Sequence, residues 1–222
     1  MTNVFPARYI CFEGTEGVGK TTQTAKLVKY LQDKGYSVLQ TKEPGTPLAP
    51  LTMELRNIML NSKYESEITP VARELVSQAI RNIHINNIIK PALKEYDFVV
   101  QDRGILSGLA YGDACGNNPG LLGFLASLHP LDARKSGQEV YKMYDNVIYL
   151  NGDVAAGLQT ALSGEQEFAE GDAIEAKGIG FMNEVAVKMD RYSKLFNTTK
   201  ISVNGKDVDT VFTDILCALG LE

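Results

Sequence analysis

Gly14-Thr15-Glu16-Gly17-Val18-Gly19-Lys20-Thr21 constrains this chain more than any other segment. It fits the pattern G-x-x-x-x-G-K-[ST], and its flanks are those the pattern requires. Upstream, Tyr9, Ile10, Cys11 and Phe12 form a short apolar run that reads as a buried strand. Downstream, over 21–33, Ala25, Leu27, Val28 and Leu31 recur near helical spacing. Strand, glycine loop and helix start together aim backbone N–H groups and the positive end of a helix dipole at a bound phosphate. Lys20 can reach the outer phosphates of a triphosphate, and the Thr21 hydroxyl can ligate Mg²⁺. The segment predicts a site for ATP made of Gly14, Thr15, Glu16, Gly17, Val18, Gly19, Lys20, Thr21 and Thr22.

Further apolar runs at 37–40, 97–100, 146–150 and 200–203 predict strands. Helical patterns at 21–33, 51–60, 71–94, 106–114, 154–161, 181–195 and 208–219 lie between them. Strands alternating with helices predict an α/β fold with a parallel sheet and helices on both faces. In such sheets ligands sit beyond the carboxyl ends of the strands. At 222 residues, a single domain over 1–222 is expected. The turn formers of 112–120 predict a loop. The acidic stretch 163–172 has no apolar periodicity and reads either as a lid, extending to about 177, or as plain surface disorder.

The net charge of −5 argues against a surface that coats nucleic acid, which needs clustered cations. No apolar stretch approaches ~18 residues and no basic-then-apolar leader opens the chain, so neither membrane insertion nor export is expected. Cys11, Cys115 and Cys217 are far apart, with neither metal-ligand spacing nor a disulfide framework, which fits a reducing cytoplasmic setting. Cys11 reads as core, His84 and His129 as structural or exposed, and Asp132 and Glu139 as solvated members of a charged connector.

A second set of residues belongs at the same sheet edge. Asp102 follows the run 97–100, at the tip of a neighbouring strand, where an acid completes a magnesium site. Arg103 beside it can clamp an acceptor phosphate by a bidentate fork. Thr41-Lys42-Glu43-Pro44-Gly45-Thr46-Pro47 follows the second run and presents charge from a stiff turn. Arg81 lies on a helix whose apolar face is expected to include Leu75, Ala79, Ile83 and Ile88, so by itself it reads as solvent-facing.

Taken together, these segments resemble the thymidylate kinases. Phe12 to Gln23 is similar to that family's P-loop, and 41–47 to its T-R-E-P-G-G-T element. Ile89-Lys90-Pro91-Ala92-Leu93, then Asp102-Arg103, then Ala110-Tyr111 resemble its I-x-P-A-L…D-R…A-Y stretch, and the spacing from Arg81 agrees. The resemblance implies a P-loop NTPase-type three-layer sandwich with a five-stranded parallel sheet flanked by helices. It implies transfer of the γ-phosphoryl of ATP, with Mg²⁺ on Thr21 and near Asp102, to a deoxynucleoside monophosphate, dTMP by default. It implies Lys20, Lys42 and Arg103 as catalytic residues. Glu16 would meet the acceptor's sugar 3′-hydroxyl, Lys42 and Arg103 its phosphate, and Arg81 its base. Tyr111 would pack under the deoxyribose, and Pro44 and Gly108 would line the base pocket. A homodimer is implied as well.

The chain also departs from that pattern. Lys42 stands where arginine is usual and loses the planar fork. Ser77 stands where a phenylalanine stacks on the base, Gly108 where a small polar residue reads it, and Gly104 where an aromatic or histidine follows Asp-Arg. These losses predict a roomier base site, open to 5-substituted uracils and other bases. An acid in the loop, Glu16, goes with an arginine in the lid, but 143–176 has no lysine or arginine and Ala173 holds the corresponding place. Lys177 and Arg134 are the nearest substitutes. Besides a dTMP kinase, the sequence leaves open a kinase for another or modified base and a nucleotide-binding module without catalysis.

Overall fold

The computed structural model describes residues 8–129, 144–163 and 172–222. Within them a five-stranded sheet has the order β2-β3-β1-β4-β5: β1 (Arg8–Glu13), β2 (Val38–Lys42), β3 (Phe98–Asp102), β4 (Asn146–Asn151) and β5 (Thr198–Ser202). Every pairing is parallel. Alternate side chains therefore serve opposite faces, and both faces must be covered. Tyr9, Cys11, Val99 and Tyr149 pack on one side under α5 (Ile105–Ala114) and α8 (Gly178–Tyr192). Ile10, Phe12, Val100 and Ile148 pack on the other under α1 (Lys20–Asp33) and α9 (Val208–Leu219). The layered α/β architecture expected from the sequence is the one observed.

The strands run further toward their carboxyl ends than their apolar runs do. β2 takes in Thr41 and Lys42, and β3 takes in Gln101 and Asp102. Ladder hydrogen bonds hold these polar residues: Glu43 N–H donates to Asp102 O at 2.9 Å, and Arg103 N–H donates to Phe12 O at 2.8 Å. Register then sets Phe12, Asp102 and Lys42 in one row across the sheet. Chemistry-bearing residues of separate strands meet at that edge.

Helical segments differ from expectation at two places. The single helix expected over 71–94 is α3 (Pro70–His84), a π-helical turn at Ile85–Ile89 and α4 (Lys90–Glu95). Pro91 has no N–H and its ring crowds the preceding turn, and the wider π turn accommodates both. The loop expected over 112–120 is shorter, because α6 (Pro119–Ser127) begins inside it. Asn118 caps α6 by accepting from Gly120 N–H at 2.7 Å, with Pro119 in its first turn. Glycine and proline density concealed a helix start. The remaining helices are α2 (Pro50–Leu60) and α7 (Val154–Leu162).

α7 presses on the phosphate loop through paired glycines. A Cβ on Gly17 (φ +66°) would lie 2.0 Å from Gly157 O, whereas one on Gly19 (φ +88°) meets nothing within 4 Å. Gly17→Ala is therefore strained by both contact and conformation, and Gly19→Ala by conformation alone. In urea denaturation Gly17→Ala should cost about 1–3 kcal/mol more than Gly19→Ala. Equal losses would mean that α7 gives way.

Candidate active site

β1 ends in Glu13, and the loop that follows turns through Gly14 (φ +152°), Gly17 and Gly19 into α1. Gly19 caps α1 without any side-chain hydrogen bond, and the first turn carries no acid, so its amide groups are left for an anion. Gly14 has to be glycine, since a Cβ there would come 2.5 Å from Leu150 O on β4. Lys20 Nζ donates to Thr15 O at 2.5 Å, curled back over the loop. Burial and the nearby Arg103 cation lower its ammonium from 10.5 to about 8.

Thr21 Oγ1 donates to Asp102 Oδ2 at 2.6 Å, while Asp102 Oδ1 is buried with no partner among the described residues. A hydroxyl and a carboxylate beside an anion cradle are the hard oxygen donors that suit Mg²⁺, an ion that takes few protein ligands and keeps waters and phosphates. The residues present fit that ion. No cluster of three acidic, histidine or cysteine ligands occurs among the described residues, so a metal held by protein groups alone is not what they offer.

Arg103 adopts φ +62°, which turns its side chain back under the loop. Nη1 donates to Gly14 O at 2.9 Å and to Ser107 Oγ at 3.2 Å. Nη2 lies 2.6 Å from Glu16 Oε2, an ion pair out of line for a hydrogen bond. The guanidinium also stands over the Tyr111 ring, 5.4 Å from its centre, and the Tyr111 hydroxyl donates to Glu16 Oε1 at 3.0 Å. Burial by itself would raise the Glu16 carboxyl, but Arg103, Lys20 and that hydroxyl outweigh it and hold it at about 2. Glu13, fully buried, accepts from Ser107 N–H at 3.2 Å and from its hydroxyl, so a carboxylate caps the start of α5.

α3 closes the opposite wall, and here its orientation reverses the sequence expectation. Leu75 is 52% exposed and Ala79 also faces out, while Arg73, Glu74, Gln78, Arg81 and His84 are buried. Arg81 Nε donates to Glu43 Oε2 at 3.0 Å, and His84 Nδ1 lies 3.0 Å from Glu43 Oε1. Burial pushes the Glu43 carboxyl up, but Arg81 and His84 prevail and hold it at about 2. His84 and His129 are thus both buried: His84 Nε2 is 2.8 Å from Thr41 Oγ1, and His129 Nε2 is 2.9 Å from Gln78 Oε1.

Among these groups, Glu16, Lys20, Thr21, Glu43, Asp102 and Arg103 line one cavity of about 470 Å³. Of the expected loop residues, Glu16, Gly17, Gly19, Lys20, Thr21 and Thr22 face it; Gly14, Thr15 and Val18 do not. Thr15 instead supplies the carbonyl that Lys20 meets, and Val18 packs into the core. Lys42, Pro44, Arg81, Asp102, Arg103, Gly108 and Tyr111 all line the cavity as expected. Arg56, Arg73, Glu74, Ser107 and Asn117 line it too, and sequence reasoning missed them. All but Asn117, which sits in the loop between α5 and α6, lie on helices whose apolar spacing drew attention to other faces. Four of the buried polar atoms without a hydrogen-bond partner among the described residues, on Arg81, Asp102, Arg103 (whose Nη2 has only its ion pair with Glu16) and Asn117, belong to this wall. Such atoms mark where a ligand supplies the missing bonds.

Lys177, a suggested substitute for the lid arginine, points elsewhere: its Nζ pairs with Glu65 at 2.7 Å and it is not in the cavity wall. Arg134, Asp132, Glu139 and lid residues 164–171 lie outside the described residues. Asp172 and Ile174, at the far end of the expected lid, line the cavity.

The expected roominess is corrected at two glycines. A Cβ on Gly104 would lie 2.1 Å from the Tyr144 hydroxyl, and one on Gly108 would lie 2.6 Å from Arg81 Nη2. The volume those residues give up is taken by Tyr144 and Arg81. Gly108→Ala should therefore cost about 1–3 kcal/mol in denaturant unfolding by displacing the guanidinium. The cost should shrink when Arg81→Ala is already present, as groups in contact are not additive. An undiminished cost would place the clash elsewhere.

A sequence model described as "Thymidylate kinase" matches residues 12–215. A thymidylate kinase of Francisella tularensis subsp. tularensis is 34% identical over 205 residues, covering 91% of this chain and 88% of the relative. One of Caldicellulosiruptor saccharolyticus is 39% identical over 104 residues, or 47% of this chain and 48% of the relative. The crystal structure of thymidylate kinase from Ehrlichia chaffeensis superposes with a TM-score of 0.72 at 22% identity, over 97% of this chain and 100% of that one, and shares the fold. No helix among the described residues is long and apolar enough to cross a membrane. With the family's sequence pattern running through nearly its whole length, this chain belongs to the thymidylate kinase family.

Proposed function

We propose that the chain transfers the γ-phosphoryl group of ATP to dTMP, giving ADP and dTDP. The observation that carries this is the convergence, in one cavity, of a phosphate loop, the Thr21–Asp102 pair and the separate acceptor-side cations Lys42, Arg81 and Arg103. A plain ATPase has no use for the second set.

Lys20 and the amide groups at the start of α1 hold the outer phosphates of ATP. Thr21 and Asp102 hold Mg²⁺, which when bound neutralises charge on the transferring phosphoryl group. Arg103 and Lys42 hold the acceptor phosphate, and Arg56, which reaches the cavity from α2, joins them. An acceptor phosphate oxygen forms the new bond to the γ-phosphorus as the bond to the β-bridging oxygen breaks. That attacking oxygen is already anionic, so no histidine is needed as base, and positioning and charge do the rest. Glu16 meets the sugar 3′-hydroxyl, with Arg103 and Tyr111 fixing its carboxylate. Tyr111 packs under the deoxyribose, and Arg81, Gly108 and Pro44 define the base site. Residues 1–222 act as one domain in the cytoplasm, consistent with its unpaired cysteines. A homodimer is supported by the exposed Leu75 of α3, Phe124 of α6 and Leu128 just after it.

A coupled ADP-release assay across the common deoxynucleoside and nucleoside monophosphates tests the reading. Turnover should be highest with dTMP. A different preferred acceptor would reassign the base, and ATP binding without turnover of any acceptor would leave a nucleotide-binding protein. The pH profile offers an independent check. Lys20 is protonated below about 8 and loses its charge as pH rises through that value, so kcat/KM for ATP should be level below it and decline above. A profile flat to pH 10 would show that Lys20 carries no such burden.

A further inference from the structure

Glu74 stands in the cavity wall without any part in the scheme above. It is only 4% exposed, and it shares one face of α3 with Ser77 and Arg81, three and seven residues on. Its Oε1 accepts from Gln78 Nε2 at 2.6 Å. Its Oε2 has no hydrogen-bond or ion-pair partner among the described residues. That oxygen opens on the cavity, an acceptor within reach of a ligand there.

The facing helix shows where the donor belongs. On α5, Gly108 and Gly112 are one turn apart, about 5.4 Å along the axis. A Cβ on Gly108 would meet Arg81 Nη2 at 2.6 Å, and one on Gly112 would meet Glu74 Oε2 at 2.7 Å. Two bare turns of α5 thus admit a guanidinium and a carboxylate from α3, side by side. Arg81 Nη1 is itself buried with no partner among the described residues. The wall therefore presents an unmet donor next to an unmet acceptor. Its complement is a flat ring edge bearing a carbonyl oxygen next to an N–H, and thymine has that edge. Gly108 has no side chain with which to read a base, and α3 reaches across to do so.

We propose that Glu74 is a specificity-determining residue for the acceptor: its carboxylate accepts from the ring N–H of the base while Arg81 donates to the adjacent carbonyl oxygen. This rests on the dTMP reading above.

The test is a kinetic cycle in the full chain, using dTMP and its N3-methyl analogue, which lacks the ring N–H, with wild type, Glu74→Ala and Glu74→Gln. In the wild type, N3-methylation should raise the acceptor KM by tenfold or more, roughly the penalty of unpairing a buried polar group. Glu74→Ala should raise KM for dTMP by about 10–100-fold with little change in kcat, and should abolish most of the methylation penalty. Glu74→Gln, which keeps an acceptor oxygen, should recover part of the affinity and part of the penalty. A merely structural Glu74 would leave the penalty intact in both variants, and that result overturns the proposal. Circular dichroism checks folding, and if Glu74→Ala is unfolded the Glu74→Gln arm decides alone. Higher turnover with dCMP than with dTMP, lost in Glu74→Ala, would overturn the ring N–H assignment in favour of an exocyclic amine. No turnover of dTMP by the wild type would overturn the acceptor reading and this proposal with it, whereas turnover with an unaltered penalty overturns the proposal alone.

Discussion

Arg103 is the joint on which the cavity depends. Its amide continues the ladder from β3 to β1, donating to Phe12 O, and its left-handed backbone then throws the side chain beneath the phosphate loop. That conformation costs on the order of 1 kcal/mol for a residue with a Cβ. The guanidinium offsets it with contacts to Gly14 O, Ser107, Glu16 and the Tyr111 ring. Loop, strand and α5 are tied by a single planar cation. Because it is buried with Glu13, Glu16, Lys20 and Asp102 around it, each of these charges is set by the others. Burial pushes the Glu16 carboxyl up, and Arg103 and Lys20, with the Tyr111 hydroxyl, hold it down.

Much of this was legible in the sequence, for a local reason. A phosphate loop is defined by neighbours along the chain, so glycine spacing and flanking periodicity reveal it whole. Strand cores were equally plain, being apolar on both faces. Strand ends were less so: Asp102 was placed at a strand tip, but Thr41 and Lys42 belong to β2 through ladder bonds to distant residues, and no local pattern reports those. The start of α6 was written in Asn118 and Pro119, yet the surrounding glycines pointed to a loop.

α3 shows how periodicity can find a helix and still misplace its faces. Its apolar residues Val71 and Leu75 are 46% and 52% exposed, while Arg73, Glu74, Gln78, Arg81 and His84 turn inward. The rule that the apolar stripe seeks the core assumes an interior filled with hydrocarbon. Here the interior on that side is largely a cavity of about 470 Å³, so a polar stripe turns inward beside the buried Ile80. Arg56, Arg73 and Glu74 escaped notice for the same reason.

The bare turns of α5 carry an evolutionary consequence. Gly104, Gly108 and Gly112 are small because Tyr144, Arg81 and Glu74 occupy the space above them. Neither partner of such a pair can change first without a collision or a void. Selection for a new base would have to alter both helices at once, or pass through an intermediate that is poorly packed. The packing of this wall is thus held by epistasis between α3 and α5, and the order in which substitutions can accumulate is narrower than the list of residues lining the pocket would imply.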